Sequence, residues 1–224
     1  MKLLIPALFL AVLAPACIIV VSDDGVGAWD GTHWGSTPTK TELRACGEFH
    51  ALEFHGAGKV DARAGETAAV VVTAEEALIP FLKTEVRDGV LVIERAPGAP
   101  STRRGVLVTV TAPKLDSAAV FGSGDVRVAN TTGPAFHAAI TGSGDLSATG
   151  AADELVVEVD GSGDASLFGL ASKSARVRVS GSGDVHVSAS EVLDVVLTGS
   201  GDVRYRGSPR VTQTIHGSGD VQRD

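Results

Sequence analysis

Through the C-terminal half of the chain, apolar and polar residues alternate with a period of two, and the pattern returns every 18–20 residues. Its marker is the tetrapeptide Gly-Ser-Gly-Asp, which begins at Gly122, Gly142, Gly161, Gly181, Gly199 and Gly217. Two places before each first glycine stand Val120, Ile140, Val159, Val179, Leu197 and Ile215, all aliphatic. Two places after each second glycine stand Val126, Leu146, Ala165, Val185, Val203 and Val221, followed by Arg127, Ser147, Ser166, His186, Arg204 and Gln222. A period of two predicts strands with one buried face. Counting through the tetrapeptide keeps the register, so both glycines fall on the inward side and Ser and Asp on the outward side. Two inward gaps in succession predict a bend.

Between the bends lie stretches such as "ANTTGPAFHA" and "FGLASKSAR", whose Gly, Pro, Ser and Asn predict looser returns. One such unit cannot bury its aliphatic side alone. A fixed period near twenty residues predicts stacked coils in which each strand pairs in parallel with its counterpart one coil away. The expected fold is all-β: a parallel β-helix-like solenoid with coils of 18–20 residues. Related strands upstream, "GAGKVDAR" from Gly56, "GVLVIERA" from Gly89 and "GVLVTVTA" from Gly105, predict that residues 41–118 form irregular first coils and 119–224 the regular array. The polar ending "VQRD" would blunt the open sheet edge.

The segments "FHALEFHGAGKVDARAG", "FLKTEVRDGVLVIERA" and "VTVTAPKLDSAAVFGSGDVRV" resemble, in order and spacing, the auto-transporter adhesin head GIN domain family. The resemblance runs from about Arg44 to the C-terminus. It implies a right-handed β-helix-like fold and a part in cell adhesion, with no catalytic residues to carry over.

The N-terminus predicts export. Lys2 precedes the apolar run Leu3 to Leu13 and a small-residue cleavage motif, Ala14-Pro15-Ala16, giving a signal peptide over residues 1–16. The next residue, Cys17, places the motif close to a bacterial lipoprotein leader, so Cys17 is the expected lipidation site. Ala14 stands where such leaders usually have Leu. The expected location is the bacterial cell envelope, on its periplasmic or surface side, with the membrane as partner through the lipid. Cleavage without lipid would instead let Cys17 bridge to Cys46, the other cysteine. Residues 17–40, rich in Gly, Asp, Ser and Thr, read as a tether.

The net charge of −8 and the lack of a basic run exclude nucleic acid as a partner. Aromatic residues are only 4% of the chain, so Val, Ala, Leu and Ile must build the core. The candidate chemistry is the outward ladder of Ser123, Asp125, Ser143, Asp145, Ser162, Asp164, Ser182, Asp184, Ser200, Asp202, Ser218 and Asp220.

At a coil spacing of about 4.8 Å the six carboxylates would form a column about 24 Å long. Neighbours would repel by roughly 1 kcal/mol in water. Three readings follow. Each Asp could accept hydrogen bonds from its own turn or from an adjacent serine, helped by Arg127 and Arg204. The column could hold Ca²⁺, although one motif per coil lacks the second set of oxygens that completes such a shell. It could face a cell-surface polymer or protein.

No other cofactor is expected. A polysaccharide-active enzyme is the remaining alternative, but the acids are evenly spread and His186 and His216 sit at different offsets. Glu75-Glu76 is the one off-pattern acid pair. The expected function is therefore non-catalytic, structural or adhesive.

Overall fold

Valine and other small aliphatic residues alternate with polar ones over long stretches, and pleated chains bury such a face by pairing edge to edge. A computed structural model describes residues 18–20, 38–102 and 105–224. The strands are β1 Ile18–Val20, β2 Thr39–Ala45, β3 Ala51–Gly56, β4 Lys59–Ala64, β5 Ala69–Glu75, β6 Leu82–Arg87, β7 Val90–Arg95, β8 Leu107–Ala112 and β9 Ser117–Gly122. They continue as β10 Asp125–Gly142, β11 Leu146–Gly161, β12 Ala165–Gly181, β13 Val185–Gly199, β14 Val203–Arg206, β15 Arg210–Gly217 and β16 Val221–Arg223. One 3₁₀ turn, Ile79–Phe81, separates β5 from β6.

The result is a β-solenoid of about five turns. β10, β11, β12 and β13 each fill a coil and pair in parallel with their neighbours. The repeated aliphatic positions stack in register, Val126 on Leu146, Leu146 on Ala165, Ala165 on Val185 and Val185 on Val203. All five are buried. Val120, Ile140, Val159, Val179 and Leu197 form a second buried column.

The expected loose returns are strand. "ANTTGPAFHA" lies inside β10 and "FGLASKSAR" inside β12. Their turn-forming residues mark a register irregularity midway along each coil, between Val128 and Thr131, Ser147 and Gly150, and Leu167 and Ala171. A bulge needs the same permissive residues as a turn, and it bends the strand without ending it.

Upstream the pairing is mixed. β3, β4 and β9 join the stack in parallel, with Gly56 opposite Gly122 and Lys59 opposite Asp125. β2, β5 and β8 run antiparallel, as do β6 and β7. Part of residues 41–118 is thus coil and part is an antiparallel end-piece. Arg44 is buried there and donates to Glu42, Thr84 Oγ1 and the carbonyls of Ile79 and Leu82, tying β2 to the strand that follows the 3₁₀ turn. β1 lies antiparallel on β2.

At the C-terminal end the inward positions change character. Gln213 replaces Val195 in its column, and Tyr205 then Arg223 follow Val187. Polar atoms thus meet water where the core opens.

Candidate functional site

Each Gly-Ser-Gly-Asp makes one corner of a coil, and the corners stack. The first glycines carry φ between +124° and +149°, a region that side chains with a Cβ rarely enter. A Cβ on Gly161 would collide with the carbonyl oxygen of Gly142 one coil below. The first glycine is therefore required by backbone conformation and by contact along the stack, more than by an inward gap. The second glycines Gly124, Gly144, Gly163, Gly183 and Gly201 are buried, as the alternation predicts, and Gly219 on the last coil is half-buried.

Along a chain paired on both sides, successive backbone N–H groups point alternately to the coil below and the coil above, and the corner keeps that alternation. Before it, a serine N–H donates to the glycine carbonyl of the coil below: Ser162 to Gly142 at 2.8 Å and Ser182 to Gly161 at 2.8 Å. After it, the residue following Asp donates to the Asp carbonyl of the coil above: Leu146 to Asp164 at 2.9 Å and Ala165 to Asp184 at 2.8 Å. The Asp N–H, two residues after the serine, points to the coil below as the serine N–H does, and there the preceding Asp carboxylate is its acceptor. Asp164 N–H donates to Asp145 Oδ1 at 3.0 Å, Asp184 to Asp164 at 2.8 Å, Asp202 to Asp184 at 2.8 Å and Asp220 to Asp202 at 3.0 Å.

The donor is thus the next coil's backbone, where the sequence reading placed it in the same turn or on a serine. Only the last Asp bonds within its own turn. Asp220 Oδ1 accepts from Val221 N–H at 2.7 Å, in the position a further coil's carbonyl would occupy. Gln222 Nε2 donates to Asp220 Oδ2 at 2.7 Å, and these two bonds, the amide's first, hold the Asp220 carboxyl below its ordinary value.

Ser123, Ser143, Ser162, Ser182, Ser200 and Ser218 are exposed, and among the described residues their hydroxyls hydrogen-bond to no other side chain. Arg127 and Arg204 form no ion pair with the Asp column among the described residues, contrary to the help expected of them. At the column's start Asp125 differs: its N–H donates to the Gly58 carbonyl at 2.8 Å, and Lys59 occupies the Asp position one coil below. Lys59, Asp61, Asp125, Arg127, Asp145 and Ser147 line an open groove of about 360 Å³ on this outer face. The alignment of "GAGKVDAR" with the repeat contained that lysine; the groove was not legible.

Among the described residues no group of three or more His, Cys, Asp or Glu is placed to hold a metal ion. His186 packs against Phe168 with ring centroids 5.0 Å apart, and Arg206 lies 4.0 Å over the same Phe168 ring. His216 is on β15, which pairs with the other half of β13, so the two histidines do not stack. Glu75 is buried at the end of β5. The leader, Cys17 and the bulk of the 17–40 segment lie outside the described residues. Cys46 is disulfide-bonded.

Residues 48–209 match the family described as "Putative auto-transporter adhesin, head GIN domain". The chain belongs to this family. Among solved structures, this GIN-domain chain is similar to a "putative adhesin" from Bacteroides fragilis, with a TM-score of 0.70 and 18% identity over 84% of this chain and 98% of that one. A "putative adhesin" from Parabacteroides distasonis gives a TM-score of 0.56 and 18% identity over 85% and 98%. A "putative lipid binding protein" from the same species gives 0.51 and 19% over 85% and 98%. At these identities the likeness is one of fold. No curated protein matches the chain.

Proposed function

We propose that the chain is a non-catalytic, exported component of a bacterial cell envelope that acts by adhesion, meeting a surface polysaccharide or protein with the outer face of its solenoid. The observation that carries this reading is the division of labour within each Asp. In the coils of Asp145, Asp164, Asp184 and Asp202, Oδ1 is used by the fold, so a regular row of Oδ2 atoms and serine hydroxyls is left for a partner. A row suits an extended, repeating ligand. Hydrolases and lyases instead gather acid and base at one place. The family description and the adhesin-like names of the solved relatives support the same reading.

The decisive experiment replaces Asp125, Asp145, Asp164, Asp184 and Asp202 by Asn. Asn keeps an Oδ1 acceptor for the next coil and removes the charge, so the fold is preserved while the ladder changes. Binding to fixed cells and to a glycan array should fall at least tenfold, with an unchanged circular dichroism spectrum. Undiminished binding by a folded variant would move the contact off the ladder. Repeating the assay with Ca²⁺ and with chelator separates direct contact from cation bridging.

Export rests on the leader, and Cys17 sulfur has two mutually exclusive fates in the envelope. Lipidation would anchor the chain in the membrane. The disulfide at Cys46 favours the other fate.

A further inference from the structure

The column of outward Asp positions changes sign at its start. Lys59 stands directly opposite Asp125 on the neighbouring coil, and Asp61 directly opposite Arg127. The four charges form a square in which each sign occupies one diagonal. All four are exposed and line the groove. Among the described residues none of them is in an ion pair. Elsewhere on the solenoid, charges further apart in register do pair. Arg176 Nη1 lies 2.9 Å from Glu154 Oε1, although Glu154 stands opposite Ser174. A ligand ion can therefore replace water at Lys59 and Arg127 without first breaking a bond inside the protein.

The groove also lacks apolar anchors. Val60, Val126 and Leu146 border it but are buried, and its exposed side chains are polar. Protein partners are held mainly by aromatic and aliphatic anchors in desolvated pockets. A hydroxyl-rich, charged chain needs only ionic contacts and hydrogen bonds. Beyond the square, Asp145 and Asp164 with Ser147 and Ser166 continue the groove over two successive coils.

Building on the adhesive reading of this outer face, we propose that the groove binds a polysaccharide that carries both signs of charge. A uronate carboxylate lies between Lys59 and Arg127, and an amino-sugar ammonium is held by the Oδ2 atoms of Asp145 and Asp164. The two positions are one or two coils apart, about 5–10 Å, the scale of neighbouring sugar rings. A purely anionic chain would set its next carboxylate against the acidic column. A purely cationic chain would bring an ammonium against Lys59 and Arg127. Asp61 and Asp125, on the other diagonal, reject a carboxylate that slips by one coil or by two residues.

The test titrates the full chain calorimetrically with hexasaccharides of heparosan and of hyaluronan, each in three forms. The native form carries carboxylates alone, the N-deacetylated form both charges, and the N-deacetylated, carboxyl-reduced form ammonium alone. On at least one backbone the doubly charged form should bind about tenfold or more tightly than the other two. The double variant Lys59→Gln, Arg127→Gln should lose that preference, with the ammonium-only form unaffected and the circular dichroism spectrum unchanged. Equal affinity for the three forms, no binding of any of them, or a preference that survives the double substitution would overturn the inference. Cell adhesion lost with the five Asp→Asn changes but untouched by the double variant would overturn it too, and would leave the adhesive reading standing. Adhesion that survives both sets would sink that reading itself. Adhesion abolished by protease treatment of the target cells but not by periodate oxidation would assign the groove to a protein and overturn the polysaccharide.

Discussion

Replacing Asp184 by Ala and by Asn tests the Asp ladder at its centre. Asp184 Oδ1 lies 2.8 Å from the N–H of Asp202, a half-buried residue, and its own N–H donates to Asp164. Ala strands the Asp202 N–H, which costs about 1–3 kcal/mol. Asn supplies a carbonyl oxygen in the same place, a weaker acceptor than a carboxylate by about 1 kcal/mol. It also removes repulsion from the carboxylates one coil above and below, roughly 0.9 kcal/mol each at about 4.8 Å in water. Asn should therefore lie within about 1 kcal/mol of wild type, and Ala about 1–3 kcal/mol below Asn. Stacked coils need not unfold in one step. The assay is accordingly the urea midpoint by circular dichroism together with hydrogen exchange at the Asp202 amide. Protection of that amide should be lost with Ala and kept with Asn. Any advantage of Asn should vanish in 1 M salt, where the screening length is about 3 Å. Equal midpoints and equal exchange for the two variants would refute the carboxylate's role as inter-coil acceptor.

Gly161→Ala should cost on the order of 3 kcal/mol or more, since φ is +136° and the new Cβ meets the Gly142 carbonyl. Gly133→Ala, where the nearest backbone atom is 3.8 Å away, should stay within about 1 kcal/mol of wild type; similar melting temperatures for the two would contradict the stacking argument. Arg44→Ala should cost about 1–3 kcal/mol by leaving the carbonyls of Ile79 and Leu82 without their donor, while Glu42 keeps Lys40 at 3.1 Å, and Arg44→Lys should recover little because one ammonium cannot reach all four acceptors. Full recovery by Lys in thermal melts would count against that network. Burial raises the Asp116 carboxyl, but hydrogen bonds from Lys114 and His50 outweigh it and hold the group below its ordinary value. A carboxylate depressed in the folded state contributes stability at neutral pH that is lost as pH falls through its folded value. The acid limb of stability against pH should therefore flatten in Asp116→Asn, and an unchanged limb would place the sensitivity elsewhere.

The coil was legible because Val120 to Val126 and its five copies keep a strict period of two, which only a strand satisfies. Pairing direction upstream was not legible, because β2 and β5 alternate in the same way whether neighbours run parallel or antiparallel. The return was misread since "ANTTGPAFHA" has the composition of a turn, and a bulge inside β10 draws on the same residues. The six repeat serines are exposed, but the donor to each Asp carboxylate was not legible. The N–H that Asp164 Oδ1 accepts belongs to Asp184, twenty residues on, and it meets a carboxylate where the Asp125 N–H meets the Gly58 carbonyl. That exchange of a backbone acceptor for a side-chain one exists in the stack and has no trace in one repeat.

That bond also separates what the fold requires of the column from what it does not. Any side chain with an acceptor at the Oδ1 position satisfies the next coil, and Asn would do so without setting like charges about 4.8 Å apart. The structure nevertheless carries Asp at all six corners. The stronger charge-assisted bond compensates in part, but Arg127 and Arg204 do not neutralise the column. The uncompensated remainder is a stripe of negative charge along one outer face. Such a stripe opposes stacking of two copies on that face and attracts a cationic or hydrogen-bond-donating surface from a distance. The oxygen of each Asp is explained by the backbone. Its charge is not required by the backbone, and the Asn variants divide the two experimentally.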